Sequence, residues 1–268
     1  DAVVTEFVSK LDDLKSRDPE TFDLLKRAYK FAKRHRALGL GVLGWHSLLQ
    51  SKMLDFEGRE AAKLNLEISK TIKEKSYKAS EELAKLFGEP EILKGYGRRN
   101  TTLNAIAPTT SSAFLLGQVS QSIEPLFSNC YVKTLAKSKV VIKNKFLEDL
   151  LEERGYNNKE IWDNIIENDG SVFGLSDDVL SLEEKHVFKT FREINPLAII
   201  NQAAVRQEYY DQAQSLNLMI DNSMTPKEVN ELYITAWKLG IKTLYYQHSV
   251  SASQEFAREK RTCVACEG

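Results

Sequence analysis

Residues 225–246, TPKEVNELYITAWKLGIKTLYY, place a clearly delimited helix directly before a strand. Thr225 is suited to cap the helix, Pro226 to occupy its first position, and Glu228 to complete a capping box. The helical spacing of apolar residues continues until Gly240, which ends the helix. The residues that follow, IKTLYY, are mainly β-branched or aromatic and predict a strand. A helix leading straight into a strand is typical of α/β folds.

The same alternation of helix and strand extends along the rest of the chain. The predicted helices cover residues 58–87, 143–154, 158–168, 181–192 and 195–212, the predicted strands cover 101–107 and 215–221, and 131–142 is predicted to be extended. Residues 1–88 are predicted to be mainly helical, and 101–247 to consist of strand–helix units. Such alternation implies parallel pairing in an open sheet or a barrel. The apolar pattern fades after Gln247, so 248–268 is predicted to be a flexible tail.

Composition excludes several classes of protein. The chain has 268 residues, 42% hydrophobic and 28% charged, with a formal net charge of −1, as in an ordinary soluble globular protein. This charge gives no electrostatic reason to expect binding to nucleic acid or to an anionic membrane. No apolar run is long enough to cross a membrane, and the first residues lack the pattern of a signal peptide. Three cysteines do not make a disulfide scaffold, so we expect a reducing, cytoplasmic compartment.

A glycine-rich stretch lies at 36–50, RALGLGVLGWHSLLQ. Each glycine weakens a helix by about 1 kcal/mol, so we expect a helix in which close packing of backbones compensates. The spacing Gly39-x-Gly41-x-x-Gly44 matches the letters of a dinucleotide-binding motif. A basic helical stretch precedes it, however, and no strand–helix–strand unit surrounds it. We therefore do not expect this segment to bind a nucleotide.

A cluster of four hydroxyl side chains follows Pro108 and precedes an apolar run. Its members are Thr109, Thr110, Ser111 and Ser112. The cluster lies where a predicted strand passes through a loop into a helix, and free backbone N–H groups there favour an anion. Simple N-capping of the helix is the alternative, although capping requires only one or two hydroxyls. From the residues alone, both phosphate or carboxylate binding and capping remain open.

A C-x-x-C pair, Cys263 and Cys266, lies in the predicted tail. Three interpretations are a zinc half-site, a structural disulfide and a redox-active dithiol. Zinc requires four ligands, and no two histidines of the chain have the spacing of a zinc finger, so we expect no metal site. A disulfide would close only a short loop in a reducing compartment. An accessible C-x-x-C pair exchanges thiols readily, and the nearby Arg258, Lys260 and Arg261 either favour thiolate formation or solvate the tail.

Four segments together resemble the large (alpha) subunit of class I ribonucleotide reductase. LNAIAPTTSSAFLLGQVSQSIEPLFSN (103–129) is similar to its substrate-phosphate loop, helix and Ser-Ile-Glu-Pro segment. The other similar segments are RALGLGVLGWHSLLQ (36–50), YYDQAQSLNL (209–218) and AWKLGIKTLYYQ (236–247). They occur in the order found in the family and span most of the chain. The combination is more specific than any single segment.

The resemblance implies both a fold and an activity. The fold would be the C-terminal part of a ten-stranded α/β barrel over 1–247, helix-rich, followed by a flexible redox tail at 248–268. The activity would be reduction of ribonucleoside diphosphates to 2′-deoxyribonucleotides for DNA synthesis. The resemblance makes Pro108 and the four hydroxyl residues the site that binds the substrate phosphates. It makes Tyr245 and Tyr246 a radical relay, and Cys263 and Cys266 the dithiol that re-reduces the active-site disulfide.

The tyrosine pair raises a problem of geometry. Neighbouring residues on a regular strand point to opposite faces, whereas a relay needs its two rings in contact. We therefore predict that the backbone departs from strand geometry at Tyr245 and Tyr246 and that the rings stack, with centroids within about 7 Å.

Several parts of the family's machinery have no match in this chain. Nothing matches the radical cysteine, its neighbouring glutamate and asparagine, or the disulfide cysteines, and Cys130 is predicted to be a packed apolar residue. The resemblance therefore implies partners: the N-terminal portion of alpha carrying the allosteric nucleotides, a beta subunit carrying a dinuclear metal and radical cofactor, and thioredoxin or glutaredoxin. We expect no cofactor on this chain, oligomerisation through full-length alpha, and inactivity of the chain alone. The alternatives are a self-contained thiol–disulfide oxidoreductase and a non-catalytic helical interaction protein.

Overall fold

The computed structural model describes residues 1–134 and 139–249, which form two compact units. Unit 1 comprises Asp1–Gly41, Leu66–Ile106 and Arg206–Ala213. Unit 2 comprises Val42–Asn65, Ala107–Val205 and the described part of Gln214–Gly268. Within these residues, none of the helices combines the length and the apolar character needed to cross a bilayer.

The described residues are rich in helices. The helices are α1 (Ala2–Arg17), α2 (Pro19–His35), α3 (Trp45–Ser51), α4 (Arg59–Phe87), α5 (Thr110–Leu115), α6 (Lys145–Glu153), α7 (Lys159–Glu167), α8 (Leu182–Val187), α9 (Pro196–Gln207) and α10 (Pro226–Lys238), with a 3-10 turn at Glu91–Leu93. The strands are β1 (Cys130–Thr134), β2 (Lys139–Lys143), β3 (Leu218–Met219) and β4 (Gln247–His248).

Helices with strong local start signals lie where the sequence predicts them. At α10, Thr225 Oγ1 accepts a hydrogen bond from the Glu228 N–H at 3.3 Å, and the Glu228 carboxylate accepts one from the Thr225 N–H at 2.7 Å. The predicted capping box is therefore confirmed. At α9, the Asn195 side chain accepts from the Leu197 N–H at 2.9 Å, which confirms Asn195 as the cap. Because these bonds join residues two or three positions apart, local sequence is enough to predict them.

Two helices end earlier than predicted. The helix predicted over 195–212 ends at Gln207, whose side-chain amide donates to the backbone carbonyls of Tyr210 and Gln212 and stabilises a non-helical turn. The helix predicted over 181–192 ends at Val187, and the Glu193 carboxylate then accepts bonds from the following turn. In both cases hydrogen bonds from a side chain near the helix end stabilise the non-helical turn that follows.

The strands form two small sheets. β1 and β2 pair antiparallel, from Cys130↔Lys143 to Thr134↔Lys139, which confirms extended structure in the described part of 131–142. β3 and β4 pair parallel, with Leu218 opposite Gln247. The strand predicted over 241–246 is not formed. The strand in this region, β4, begins at Gln247. The predicted α/β character is therefore present in helices and a parallel pair, while the part of the chain that the structure describes contains no closed barrel.

The glycine-rich stretch 36–50 is non-helical over residues 36–44 and helical from Trp45, where α3 begins. Residues 36–44 contain no helix, and Leu40 forms an isolated parallel bridge with Asn104. The strand predicted over 101–107 is present only as isolated bridge residues. A Cβ atom on Gly41 would lie 2.2 Å from the Ala105 carbonyl oxygen. The prediction of a helix is therefore confirmed for 45–50 and wrong for 36–44, where the glycines permit the backbone of a distant segment to approach closely.

Unit 2 contains a well-defined hydrophobic core around α6 and α7. Fully buried residues such as Leu147, Leu151 and Ile165 pack there with Phe188. Cys130 is buried in the same cluster, and burial raises the pKa of its thiol to about 11. The prediction that Cys130 is a packed apolar residue is therefore confirmed.

Candidate functional site

The predicted phosphate loop leads into α5. Pro108 and Thr109 precede the helix and are partly exposed, and Thr110, Ser111 and Ser112 lie exposed in its first turn. None of the four hydroxyl side chains caps α5. The Ser111 and Ser112 hydroxyls form no hydrogen bond with another described residue. The capping alternative is therefore not supported, and two hydroxyls remain available to a ligand.

Thr109 holds the loop in an unusual conformation. Its φ of +51° lies in the left-handed region, which costs a β-branched residue about 1–2 kcal/mol. Its Oγ1 accepts a hydrogen bond from the Ser122 N–H at 2.8 Å, and Thr110 Oγ1 donates to Gln121 Oε1 at 3.0 Å. These two bonds connect the loop to residues 121 and 122. Backbone strain of this kind is found disproportionately at functional sites.

A cavity of about 290 Å³ lies beside α5 in unit 2. Its lining includes Thr110 and Gln121 from the loop region and Lys143 from β2. The Lys143 ammonium group lies 3.1 Å from Glu148 Oε1 and 4.6 Å from the centre of the Trp162 ring. The cavity thus combines a positively charged side chain with polar groups close to the exposed hydroxyls.

The Ser-Ile-Glu-Pro segment, residues 122–125, begins with a second strained position. Ser122 has a φ of +47°, and its buried hydroxyl has no hydrogen-bond partner among the described residues. Its carbonyl oxygen accepts from the Trp45 N–H at 3.2 Å, at the start of α3. Ser120 and Ser47 exchange two hydrogen bonds between hydroxyl and backbone N–H groups, at 2.8 and 3.1 Å. The start of α3 therefore holds this segment in place.

Glu124, within the same segment, is a buried carboxyl group with only 2% of its surface exposed. Burial raises its pKa to about 7, and a hydrogen bond from Asn217 opposes the rise. The Asn217 Nδ2 atom donates to Glu124 Oε1 at 2.6 Å. Asn217 is also buried, and its Oδ1 accepts from the Tyr246 N–H at 2.9 Å. One amide side chain therefore connects the buried carboxyl group to the tyrosine pair.

The Tyr245 and Tyr246 rings are in contact. Their centroids are 4.0 Å apart, with an angle of 46° between the ring planes. The backbone at 241–246 is not a regular strand, so the predicted departure from strand geometry is confirmed. The predicted ring contact is also confirmed, although the rings are tilted rather than parallel. A side-chain hydrogen bond with Tyr246 raises the pKa of the Tyr245 phenol above its usual value.

An aromatic cluster surrounds this pair in unit 2. The His248 ring lies 6.4 Å from the Tyr246 ring and 5.2 Å from Phe127, and Phe127 lies 5.2 Å from Phe191. Both tyrosines nevertheless remain about half exposed, at 48% and 59%. The pair therefore has aromatic neighbours and an accessible surface.

Cys263 and Cys266 lie outside the described residues, as do Arg258, Lys260 and Arg261. The redox dithiol therefore stays a prediction. Within 1–134 and 139–249, no group of three or more histidine, cysteine, aspartate or glutamate side chains is placed to hold a metal ion.

The Ser-Ile-Glu-Pro segment, residues 122–125, links the hydroxyl loop to the tyrosine pair. Thr109 bonds to Ser122, and Glu124 is linked through Asn217 to Tyr246. The sequence predictions gave no role to Glu124 or Asn217. A usable signal was present, since each is a polar residue within an apolar run: SIEPLF for the first and SLNLMI for the second. Most polar residues that are buried in such positions have a hydrogen-bond partner.

The chain is similar to known proteins of one family. A family model for the ribonucleotide reductase barrel domain matches residues 18–92 and 90–247. The chain is 43% identical to the ribonucleoside-diphosphate reductase large subunit of Invertebrate iridescent virus 6 over 84% of this chain and 24% of that protein. It is 35% identical to the putative large subunit of Frog virus 3 over 100% of this chain and 47% of that protein.

A solved structure is also similar. The class Id ribonucleotide reductase alpha subunit of Actinobacillus ureae superposes with a TM-score of 0.83 and 53% identity, over 94% of this chain and 45% of that chain. The present chain thus spans less than half the length of each of these relatives.

Proposed function

Because the chain belongs to the ribonucleotide reductase barrel-domain family, we propose that it forms part of an enzyme that reduces ribonucleoside diphosphates to 2′-deoxyribonucleotides. In this reaction hydrogen replaces the ribose 2′-hydroxyl, which leaves as water. A dithiol supplies the two electrons and becomes a disulfide. The observation that carries the proposal is the family match over 18–247 together with the exposed hydroxyl loop that lies within it.

Pro108, Thr109, Thr110, Ser111 and Ser112 bind the phosphates of the substrate in this proposal. The exposed Ser111 and Ser112 hydroxyls supply hydrogen-bond donors, while Thr109 holds the loop through its bond to Ser122. Hydrogen bonds to charged groups contribute about 1.5–3 kcal/mol each, so a few such donors account for useful affinity.

Tyr245 and Tyr246 carry a radical between a beta subunit and the active site. Ring contact at 4.0 Å supports this role, and exposure of both rings leaves a surface on which a partner can approach them. The dinuclear metal and radical cofactor would belong to that beta subunit. Cys263 and Cys266 would return electrons to the active-site disulfide and accept them in turn from thioredoxin or glutaredoxin.

The remaining catalytic residues and the allosteric nucleotide sites would come from the N-terminal portion of alpha, through which the enzyme also oligomerises. We therefore expect this chain alone to be inactive. Formation of a deoxynucleotide by the isolated chain would contradict this expectation.

The test is reconstitution of the chain with the N-terminal portion of alpha, a beta subunit and thioredoxin, followed by measurement of deoxynucleoside diphosphate formation. Replacing Ser111 and Ser112 together with alanine should raise the KM for the diphosphate at least about tenfold, as expected from the loss of two charged hydrogen bonds. The matched control is Ser51→Ala, which removes another exposed hydroxyl, one that donates to the Leu48 carbonyl oxygen. If the double variant behaved like this control, the non-catalytic interaction protein would be the better explanation.

The relay and the dithiol have separate readouts. Tyr245→Phe and Tyr246→Phe should each abolish turnover while substrate affinity is kept, whereas Tyr96→Phe, at an exposed tyrosine of unit 1, should have no effect. Replacing Cys263 and Cys266 with serine should stop turnover driven by thioredoxin but not turnover driven by a small dithiol. Full activity of a tyrosine variant, or of the cysteine variant with thioredoxin, would contradict the corresponding assignment.

A further inference from the structure

Two buried polar side chains connect the Ser-Ile-Glu-Pro segment to the tyrosine pair. We propose that Glu124 and Asn217 are positioning residues, which fix the backbone at Tyr246 and thereby hold the Tyr245 and Tyr246 rings in contact. The consequence for turnover rests on the proposed relay function, whereas the positioning itself does not.

The side chain of Asn217 takes the place of a backbone acceptor for the Tyr246 N–H, just before β3 and β4 begin to pair. The Tyr245 N–H donates to the Leu216 carbonyl at 2.8 Å, and the Leu218 N–H donates to the Tyr246 carbonyl at 3.0 Å. Between these two backbone bonds, the Tyr246 N–H donates to the Asn217 side chain instead. The backbone N–H of Tyr246 therefore has a hydrogen-bond acceptor although Tyr246 lies outside regular strand geometry.

This departure from the strand is what brings the two rings together. On a regular strand, consecutive side chains point to opposite faces. Here the Tyr245 and Tyr246 centroids are only 4.0 Å apart. An unpaired backbone donor would otherwise favour a return to regular pairing, so the acceptor on Asn217 stabilises the conformation that permits contact.

Glu124 orients the amide of Asn217. The Tyr246 N–H is a donor and requires the amide oxygen, which leaves the amide nitrogen to donate to a Glu124 carboxyl oxygen, as observed. Both bonds fit the same orientation of the side chain, at 2.9 and 2.6 Å. A hydrogen bond to a carboxylate is stronger than one to a neutral acceptor. Glu124 therefore locks the amide in the orientation that Tyr246 needs.

Hydrogen exchange of single amides tests the proposal on the complete 268-residue chain, labelled with ¹⁵N-tyrosine. In Asn217→Ala and in Glu124→Ala, protection of the Tyr246 amide should fall at least about tenfold relative to that of Tyr245, because only Tyr246 uses the side-chain acceptor. Glu124→Gln keeps an oxygen acceptor and should retain the protection. Unchanged protection of Tyr246 in Asn217→Ala would overturn the proposal.

A second pair of variants covers the case in which alanine prevents folding. Asn217→Asp is nearly isosteric but faces Glu124 with a second acceptor, so the pair repels and protection of the Tyr246 amide should fall above pH 7. Adding Glu124→Gln supplies an amide that donates to the introduced carboxylate, and protection should recover. A general structural defect would not be repaired by a second substitution. Failure to recover would therefore overturn the proposal.

The matched control is Asn129→Ala, at another buried asparagine of unit 2. Its amide donates to the carbonyls of Gly170 and Phe188, so its loss should lower stability without selective exposure of the Tyr246 amide. A selective loss of Tyr246 protection in this variant would show that the effect is not specific to Asn217 and would overturn the proposal.

Kinetics of the reconstituted enzyme separate positioning from the relay. Asn217→Ala should lower kcat about 10–100-fold through misplacement of the rings. The KM for the diphosphate should stay within about twofold, because the hydroxyl loop keeps its contacts. If Tyr246 protection fell while kcat did not, the positioning role would stand and the relay function would fail. If protection also stayed unchanged, the positioning role would fail.

Discussion

Replacing Glu124 with glutamine should stabilise the folded chain much more at pH 8 than at pH 5. Burial raises the pKa of Glu124 from its ordinary value of 4.5 to about 7, so the folded state binds its proton more tightly than the unfolded state does. The stability that this proton contributes is fully present below pH 4.5 and is lost as the pH rises through 7. Glutamine keeps an acceptor for Asn217 and cannot ionise.

The size of the effect follows from the difference of about 2.5 between the two pKa values. At about 1.4 kcal/mol for each pKa unit, ionisation of Glu124 costs the folded state about 3 kcal/mol. Linkage then gives an advantage of Glu124→Gln over the wild type of about 1 kcal/mol at pH 5, rising to about 3 kcal/mol at pH 8.

Urea denaturation followed by tryptophan fluorescence is a suitable assay. The three tryptophans, Trp45, Trp162 and Trp237, all belong to unit 2, which also contains Glu124. Their emission therefore reports unfolding of the unit in question. The free energy of unfolding of both proteins would be measured at pH 5, 6, 7 and 8, and the difference between them plotted against pH.

An exposed carboxylate provides the control with the opposite sign. Hydrogen bonds from Thr225 lower the pKa of Glu228, so its stabilising contribution is lost as the pH falls. The disadvantage of Glu228→Gln should accordingly shrink towards low pH. A difference between Glu124→Gln and the wild type that was the same at pH 5 and pH 8 would refute the burial of an ionisable Glu124.

Further predictions concern local stability. Gly170→Ala should lower the free energy of unfolding by about 3 kcal/mol or more, because a Cβ there would lie 1.9 Å from Ser128 Oγ at a φ of +85°. Gly155→Ala, at a φ of +77° in open space, should lower it by only about 1 kcal/mol. Urea denaturation followed by tryptophan fluorescence measures both, and equal losses would contradict the predicted clash. Asn104→Leu should raise the free energy of unfolding by about 1–3 kcal/mol, because the buried side-chain amide of Asn104 has no hydrogen-bond partner among the described residues. Melting followed by circular dichroism measures this change. A loss of stability would show that the side-chain amide has a partner. Thr225→Ala should cost about 1 kcal/mol in the same urea assay through loss of the α10 cap, and no change would mean that the cap does not stabilise the helix.

Sequence was sufficient wherever the decisive contacts are local. The limits of α10 were predictable because a capping box joins Thr225 to Glu228, and those of α6 and α7 because apolar spacing and a capping asparagine, Asn144 or Asn158, lie within the segment. The contact within the tyrosine pair was predictable for a different reason. The family resemblance implies a relay, which needs the two rings in contact, whereas a regular strand points neighbouring side chains to opposite faces. A departure from strand geometry was therefore expected.

Sequence failed where a distant segment decides the conformation. The glycines at 36–44 resemble an unfavourable helix until the backbone of 101–106 is known to lie against them. Beyond the end of α9 at Gln207, the Asp211 carboxylate accepts hydrogen bonds from the backbone N–H groups of Leu103 and Asn104. Neither partner segment can be identified from periodicity, since each lies far away in the sequence.

The sequence by itself determined the helix starts, the family resemblance and the candidate site residues: four hydroxyls, two tyrosines and two cysteines near the C-terminal end of the sequence. Those features depend on side-chain chemistry and on neighbours within about one helical turn. Only the tertiary structure showed that Asn217 lies between Glu124 and Tyr246, and that Thr109 is held by Ser122. Most buried polar groups find hydrogen-bond partners wherever the fold places them, and the partners in these bonds lie 13 to 93 residues apart in the chain.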